Sequence, residues 1–249
     1  MTPRGRIGVV APSYAEYVRC WEKAGHDVIQ MAFDQLEDSL QGLDGLILAN
    51  PNNPDGRWIE TQALNDLAET LARQKAWLLV DEAFVDSRPR YSLLNDALPA
   101  NVMVLRSVGK FFGLAGVRLG FVFADAAVRS LLARRMGPWA VSGVARWAGK
   151  QALNDSRWQQ QTRRKLPRQI DRLTALLQQA GLTVTGGTDL FVYCQTPEAA
   201  IIHEILAQRG ILVCRFEQPA ALRFGLPPES GWKKLQEAMN KIPAGITLR

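Results

Sequence analysis

The sequence predicts an α/β protein: a mainly parallel sheet with helices on both faces, followed by a smaller C-terminal α+β domain. Two observations carry this. In the first half, short apolar runs alternate with helical stretches, and the runs are too uniformly apolar to leave one face wet, as expected of strands buried on both sides. Beyond Asp125 the pattern changes to consecutive helices, then to short strands and helices. The boundary falls near residue 155, giving a large domain over 1–155 and a small one over 156–249.

Taken in order, Ile7–Ala11 is an apolar run stopped by Pro12, hence a buried strand. Tyr14–Ala24 has helical spacing in Tyr14, Tyr17, Val18 and Trp21, with Ser13 as the expected N-cap and Gly25 as the stop. Strands are expected at Asp27–Phe33 and Gly45–Ala49, the latter ending in the turn-rich Asn50-Pro51-Asn52-Asn53-Pro54-Asp55-Gly56. A helix over Glu60–Gln74 places Leu64, Leu67, Ala68 and Leu71 on one face. Further buried strands are read at Ala76–Val80, Val102–Arg106 and Leu119–Ala124. Helices follow at Ala126–Met136, Ser142–Leu153 and Arg157–Ala180, the last long and polar enough to link two domains. The small domain then has strands at Thr183–Thr185, Leu190–Cys194, Leu212–Cys214 and Ala221–Phe224, and helices at Ala199–Gln208 and Ser230–Lys241.

The 249 residues suffice to bury a sizeable core, and 47% hydrophobic with 22% charged residues argues against disorder. The net charge of +6 raises nucleic acid as a partner. The basic residues are scattered, however, and their one clump (Arg163, Arg164, Lys165, Arg168, Arg172) lies on a helical stretch with several glutamines, as a solvated face does. No nucleic-acid motif is present, and the charge suits a small anionic substrate instead. Cys20, Cys194 and Cys214 form no C-x-x-C pair, and His26 and His203 lie far apart, so no metal site is expected. There is no signal peptide or membrane-spanning run, so the cytoplasm is the default location and no membrane partner is expected.

Chemistry concentrates at the expected strand ends, where an open parallel sheet binds its ligands. Asn53 follows the third strand, Asp81 ends the fourth, Ser107 and Lys110 follow the fifth, and Arg118 leads into the next. Singly, each has an ordinary explanation: a turn asparagine, a helix cap, a surface cation. Lys110 stands among Phe111, Phe112 and Leu114 with Arg118 nearby, and desolvation beside a second cation would lower its pKa and free the amine to attack a carbonyl. Rival motifs fail: Val104 and Phe111 break a P-loop around Gly109-Lys110, and no G-x-G-x-x-G or G-x-S-x-G occurs in the right setting.

Asn50-Pro51-Asn52-Asn53-Pro54-Asp55-Gly56, Val80-Asp81-Glu82-Ala83-Phe84, Ser107-x-x-Lys110 and Gly116-x-Arg118-x-Gly120 together resemble the fold-type-I pyridoxal-phosphate enzymes. Within these the chain is similar to the histidinol-phosphate aminotransferase branch, and more closely to its L-threonine-O-phosphate decarboxylases. Phe84 stands where the aminotransferases usually carry Tyr, and Arg106-Ser107 and Pro138-Trp139-x-Val141 look like the decarboxylase pattern. The likeness runs over essentially the whole chain. It implies pyridoxal 5'-phosphate as cofactor, with Lys110 as the amine that takes up the cofactor aldehyde and Asp81 against the pyridine nitrogen. It further implies Asn53 on the phenolic oxygen, Tyr14 stacked on the ring, and Ser107 with Arg118 on the cofactor phosphate. Arg223, in Leu222-Arg223-Phe224-Gly225, matches the arginine for the substrate carboxylate.

The implied reaction is decarboxylation of L-threonine O-3-phosphate to (R)-1-aminopropan-2-ol phosphate for cobalamin biosynthesis. An aminotransferase of histidinol-phosphate type is the alternative, and a catalytically inactive fragment a third reading. The third arises because Ile7–Ala11 matches a strand that the family precedes with an arm, a core strand and a phosphate-binding glycine loop; without these, Ser107 and Arg118 would carry the cofactor phosphate alone. Gly109 also replaces the usual Ser or Thr before the lysine. The likeness implies a homodimer.

Overall fold

Six strands, Arg6–Ala11 (β1), Asp27–Ala32 (β2), Gly45–Ala49 (β3), Trp77–Asp81 (β4), Val102–Ser107 (β5) and Gly120–Phe123 (β6), form one sheet in the order β2-β1-β3-β4-β5-β6. Every pairing is parallel except β5 with β6. The computed structural model describes residues 4–36 and 39–242. It divides into two compact units, Met1–Asn53 with Trp58–Arg157, and Pro54–Arg57 with Trp158–Arg249.

The first unit is layered because successive strand residues serve opposite faces. On one face Val10, Leu46, Leu48, Leu78, Val80, Val102 and Val104 pack with Leu64, Leu67, Ala68 and Leu71 of Thr61–Arg73 (α2). On the other, Ile7, Val9 and Ile47 meet Tyr17, Val18 and Trp21 of Ala15–Lys23 (α1). Burying each α2 leucine contributes about 2 kcal/mol. The helices on both faces and the mainly parallel sheet are those the apolar runs predict.

Three local readings are corrected. Ser13 does not cap α1; Tyr14 occupies the N-cap in extended conformation without a side-chain cap bond, and the buried Ser13 hydroxyl has no hydrogen-bond partner among the described residues. The run read as a buried strand over Leu119–Ala124 forms β6, an antiparallel edge strand with Val122 and Phe123 exposed. Apolar composition registers neither edge position nor direction. The strand expected at Leu212–Cys214 starts instead at Cys214, and Leu212 is exposed.

Ala126–Met136 (α3) and Gly143–Asn154 (α4) follow, capped by Asp125 on Ala127 N–H (2.8 Å) and Ser142 on Ala145 N–H (3.1 Å). Ser156–Gln179 (α5) continues unbroken through Pro167. In the second unit Val184–Thr188 (β7), Phe191–Gln195 (β8), Cys214–Glu217 (β9) and Ala220–Gly225 (β10) make an antiparallel sheet ordered β7-β8-β10-β9. Ala199–Ala207 (α6), Trp232–Met239 (α7) and the buried Leu173 and Leu177 of α5 close its core with Ile202, Leu206, Leu222 and Phe224. Pro54–Arg57 threads into this unit so tightly that a Cβ on Gly56 would stand 2.2 Å from the Gly187 carbonyl oxygen. With φ at +75° as well, this position admits only glycine.

No described helix is long and apolar enough to cross a membrane, and no three potential metal ligands cluster among the described residues.

Candidate active site

Parallel pairing brings the strand ends of the first unit level. Ala49 lies beside Asp81, Asp81 beside Leu105, and Val9 beside Ile47. The residues just past these ends therefore share one edge: Tyr14 after β1, Asn53 after β3, Asp81 closing β4, and Ser107 and Lys110 at and after β5. Antiparallel β6 returns to the same edge, Ser107 opposite Gly120, so that Arg118 arrives there from the other direction. Six of the seven site residues singled out above thus share one unit and one sheet edge. Arg223 lies on β10 of the second unit.

Each is held by local chemistry. The loop after β3 is pinned by Asn50, whose amide donates to the Ile59 carbonyl (3.0 Å) and accepts from Ile59 N–H (2.8 Å), and by Asn52, which donates to the Pro12 carbonyl (2.9 Å). Half-buried Asn53 follows directly. The lysine loop folds back on itself: Gly113 N–H donates to the Lys110 carbonyl (3.0 Å) and Leu114 N–H to that of Val108 (3.1 Å). At its start the Ser107 hydroxyl accepts from Gly109 N–H (3.1 Å). A Cβ on Gly109 would come within 3.2 Å of that hydroxyl and 3.3 Å of Ala115 Cα, a tight fit at the position where the resemblance anticipates Ser or Thr.

Lys110 is exposed, contrary to the desolvated setting its neighbours suggest. Phe111 and Phe112 turn inward and are buried, while the amine reaches over the Phe84 ring, 5.3 Å from its centroid. Sequence adjacency put the aromatics around the lysine; the chain reversal puts them beneath it. Arg118 takes the left-handed conformation (φ 56°), is exposed, and donates to the Ala115 carbonyl (3.3 Å). Tyr14 is half exposed, its ring edge-on to Tyr17 with centroids 5.6 Å apart.

Asp81 is the most constrained of the set. Its Oδ1 accepts from Ala83 N–H (2.9 Å), and its Oδ2 accepts from the Tyr17 hydroxyl (2.5 Å). Burial, then the Asp81 charge, raises the Tyr17 pKa, so this phenol remains a donor.

Below this edge lies a network the strand-end pattern does not reveal. The fully buried Glu82 accepts from Ser92 Oγ (2.6 Å), Leu93 N–H (2.7 Å) and Arg106 Nη1 (3.2 Å). Arg106 Nη2 also pairs with Asp86. Burial pushes the Glu82 carboxyl up, against the pull of these donors. Of these residues only Arg106 falls within a run read as a buried strand, Val102–Arg106. A charge inside an expected buried strand was the available signal, since such a charge needs a partner.

In the second unit Arg223 lies 5.0 Å from the Phe191 ring centroid and 5.9 Å from that of Phe216, and donates to Cys214 Sγ (3.3 Å) across the β9–β10 pairing.

Residues 1–242 match the family model for aminotransferase class I and II. Threonine-phosphate decarboxylase of Pseudomonas aeruginosa is 44% identical over 236 residues, covering 94% of this chain and 71% of that protein. That of Sinorhizobium sp is 40% identical over 253 residues, covering 97% and 73%. This chain therefore spans about seven-tenths of the length of both. The structure of histidinol-phosphate aminotransferase from Sinorhizobium meliloti, in complex with pyridoxal-5'-phosphate, superposes with a TM-score of 0.84 at 20% identity, over 98% of this chain and 73% of that one. The family model spans nearly the whole chain, and the Asp81, Lys110 and Arg118 motifs lie within it: the chain belongs to the aminotransferase class I and II family.

Proposed function

We propose that this protein is a pyridoxal-phosphate-dependent lyase that decarboxylates L-threonine O-3-phosphate, releasing carbon dioxide and placing a proton on Cα to leave (R)-1-aminopropan-2-ol phosphate, as cobalamin biosynthesis requires. One observation carries the cofactor assignment: a carboxylate fixed by donors on both oxygens, Asp81, ends β4 beside the strand that leads to Lys110. The remaining donor set fits. A pyridinium requires an anionic acceptor, an aldehyde an accessible amine, and a phosphate a cation, and Asp81, exposed Lys110 and exposed Arg118 supply these from one sheet edge. When bound, the cofactor supplies the electron sink into which a Cα bond breaks.

In this reading Asp81 accepts the ring N–H, Asn53 bonds the phenolic oxygen, Tyr14 covers one ring face, and Ser107 and Arg118 hold the phosphate. Arg223 pairs with the substrate carboxylate. Lys110 would be the amine that holds the cofactor aldehyde and the group that holds or returns a proton at Cα. The choice of decarboxylation rests on 44% and 40% identity to threonine-phosphate decarboxylases, together with Phe84 at the place where the aminotransferases usually carry Tyr. The active protein is a homodimer in the cytoplasm.

The purified protein with pyridoxal phosphate is expected to develop visible absorbance that Lys110→Ala abolishes. It is then expected to release carbon dioxide from L-threonine O-3-phosphate without 2-oxoglutarate. Unchanged absorbance in Lys110→Ala, or amino transfer to 2-oxoglutarate in place of carbon dioxide release, would refute the respective assignment. Light scattering giving one chain mass would refute the dimer.

A further inference from the structure

We infer, building on the pyridoxal-phosphate reading, that Tyr17 is a positioning residue that acts on the cofactor ring through Asp81. Its hydroxyl donates to Asp81 Oδ2 at 2.5 Å, while Ala83 N–H holds Oδ1 at 2.9 Å. Each carboxylate oxygen thus spends one lone pair on the protein, which fixes the plane of the group and leaves its other lone pairs for a ring N–H. A single hydrogen bond would leave the carboxylate free to turn; two from opposite sides do not.

Tyr17 is itself held. It packs against Ile7, Val9 and Ile47 from within α1, so its hydroxyl cannot swing to water without opening that face of the sheet. Burial and the Asp81 charge keep it protonated, a permanent donor. The carboxylate so fixed presents its remaining lone pairs in one direction, as the acceptor that a ring N–H requires. Tyr14, proposed to cover the ring, lies one helical turn away at the α1 N-cap and meets Tyr17 edge-on. One turn of chain thus carries both the group over the ring and the group behind its carboxylate partner. A purely architectural role, tying α1 to β4 across 64 residues, would use the same hydrogen bond. The two roles differ in whether the ring nitrogen matters.

The test measures dissociation constants by fluorescence titration for pyridoxal phosphate and for its carbocyclic analogue, in which C–H replaces the ring nitrogen. Wild type, Tyr17→Phe, Asp81→Ala and the double variant are compared. The inference predicts that Tyr17→Phe weakens pyridoxal phosphate roughly tenfold, the worth of a hydrogen bond to a charged group. It predicts a change of less than about twofold for the analogue, and about the same small change for either ligand in the Asp81→Ala background. Unaltered binding of pyridoxal phosphate by Tyr17→Phe overturns it. So does an equal loss for both ligands, whether from displaced architecture or from failure to fold. Wild type that binds no pyridoxal phosphate refutes the parent reading along with it, whereas tight wild-type binding with an indifferent Tyr17→Phe refutes this inference alone.

Discussion

Arg106 shows how much a single side chain can hold in place. Its guanidinium, one residue before Ser107 on β5, meets Glu82, one residue past Asp81 at the end of β4, and Asp86 in the turn that follows, and thereby ties the ends of the two strands. Arg106→Met would leave two carboxylates against a buried face without their cation. The expected cost is about 3 kcal/mol at neutral pH, read from denaturant unfolding. The pH dependence follows from Glu82. Its carboxyl already lies above the ordinary 4.5 because burial disfavours its charge, and losing Arg106 removes one of the groups holding it down. A carboxyl raised in the folded state adds stability that is full below 4.5 and fades as pH climbs through the folded value. The penalty of Arg106→Met should therefore shrink as pH falls toward 4.5. A penalty constant across that range would show that Glu82 is not titrating.

At the scale of elements, the helices were the most legible part of the sequence and the sheet edges the least. Apolar spacing in Leu64, Leu67, Ala68 and Leu71 defines α2 because helical periodicity is local. Asp125 and Ser142 cap α3 and α4 as their residue types predict, yet Ser13 does not cap α1, because the strand exit has already turned the chain so that Tyr14 takes that place. β6 was legible as a strand but not as an exposed antiparallel edge, since both properties depend on what pairs with it. The long helix α5 carries a proline in its interior. Pro167 is exposed inside it, lacks an N–H and crowds the carbonyl one turn back. Pro167→Ala is expected to stabilise the protein by about 1–3 kcal/mol, seen as a raised thermal midpoint.

Among the described residues each of the two units has buried clusters of its own. Leu71 is fully buried in the cluster of the first unit and Leu177 in that of the second. Each Leu→Ala change should cost about 2–5 kcal/mol, and calorimetry should show Leu71→Ala shifting one transition and Leu177→Ala another. A common shift of a single transition would show that the two cores unfold together. The net charge of +6 belongs to this scale as well, where it would bear on encounter with the anionic substrate proposed above more than on the fold.

The sequence by itself determined which residues end the strands, and hence that an asparagine, an aspartate, a serine, a lysine and an arginine meet at one sheet edge. Strand propensity, turn chemistry and the rule for parallel sheets are all local or generic. Only the tertiary structure decided what stands behind those residues. Tyr17 reaches Asp81 across 64 positions, Arg106 reaches Glu82 across 24, and Lys110 lies open to solvent with its phenylalanines beneath it. The physical reason is one of range. A residue's tendency to end a strand depends on its immediate neighbours, whereas its hydrogen-bond partner and its burial are set by strand register and chain reversal, which bring together segments that are silent about each other in the sequence.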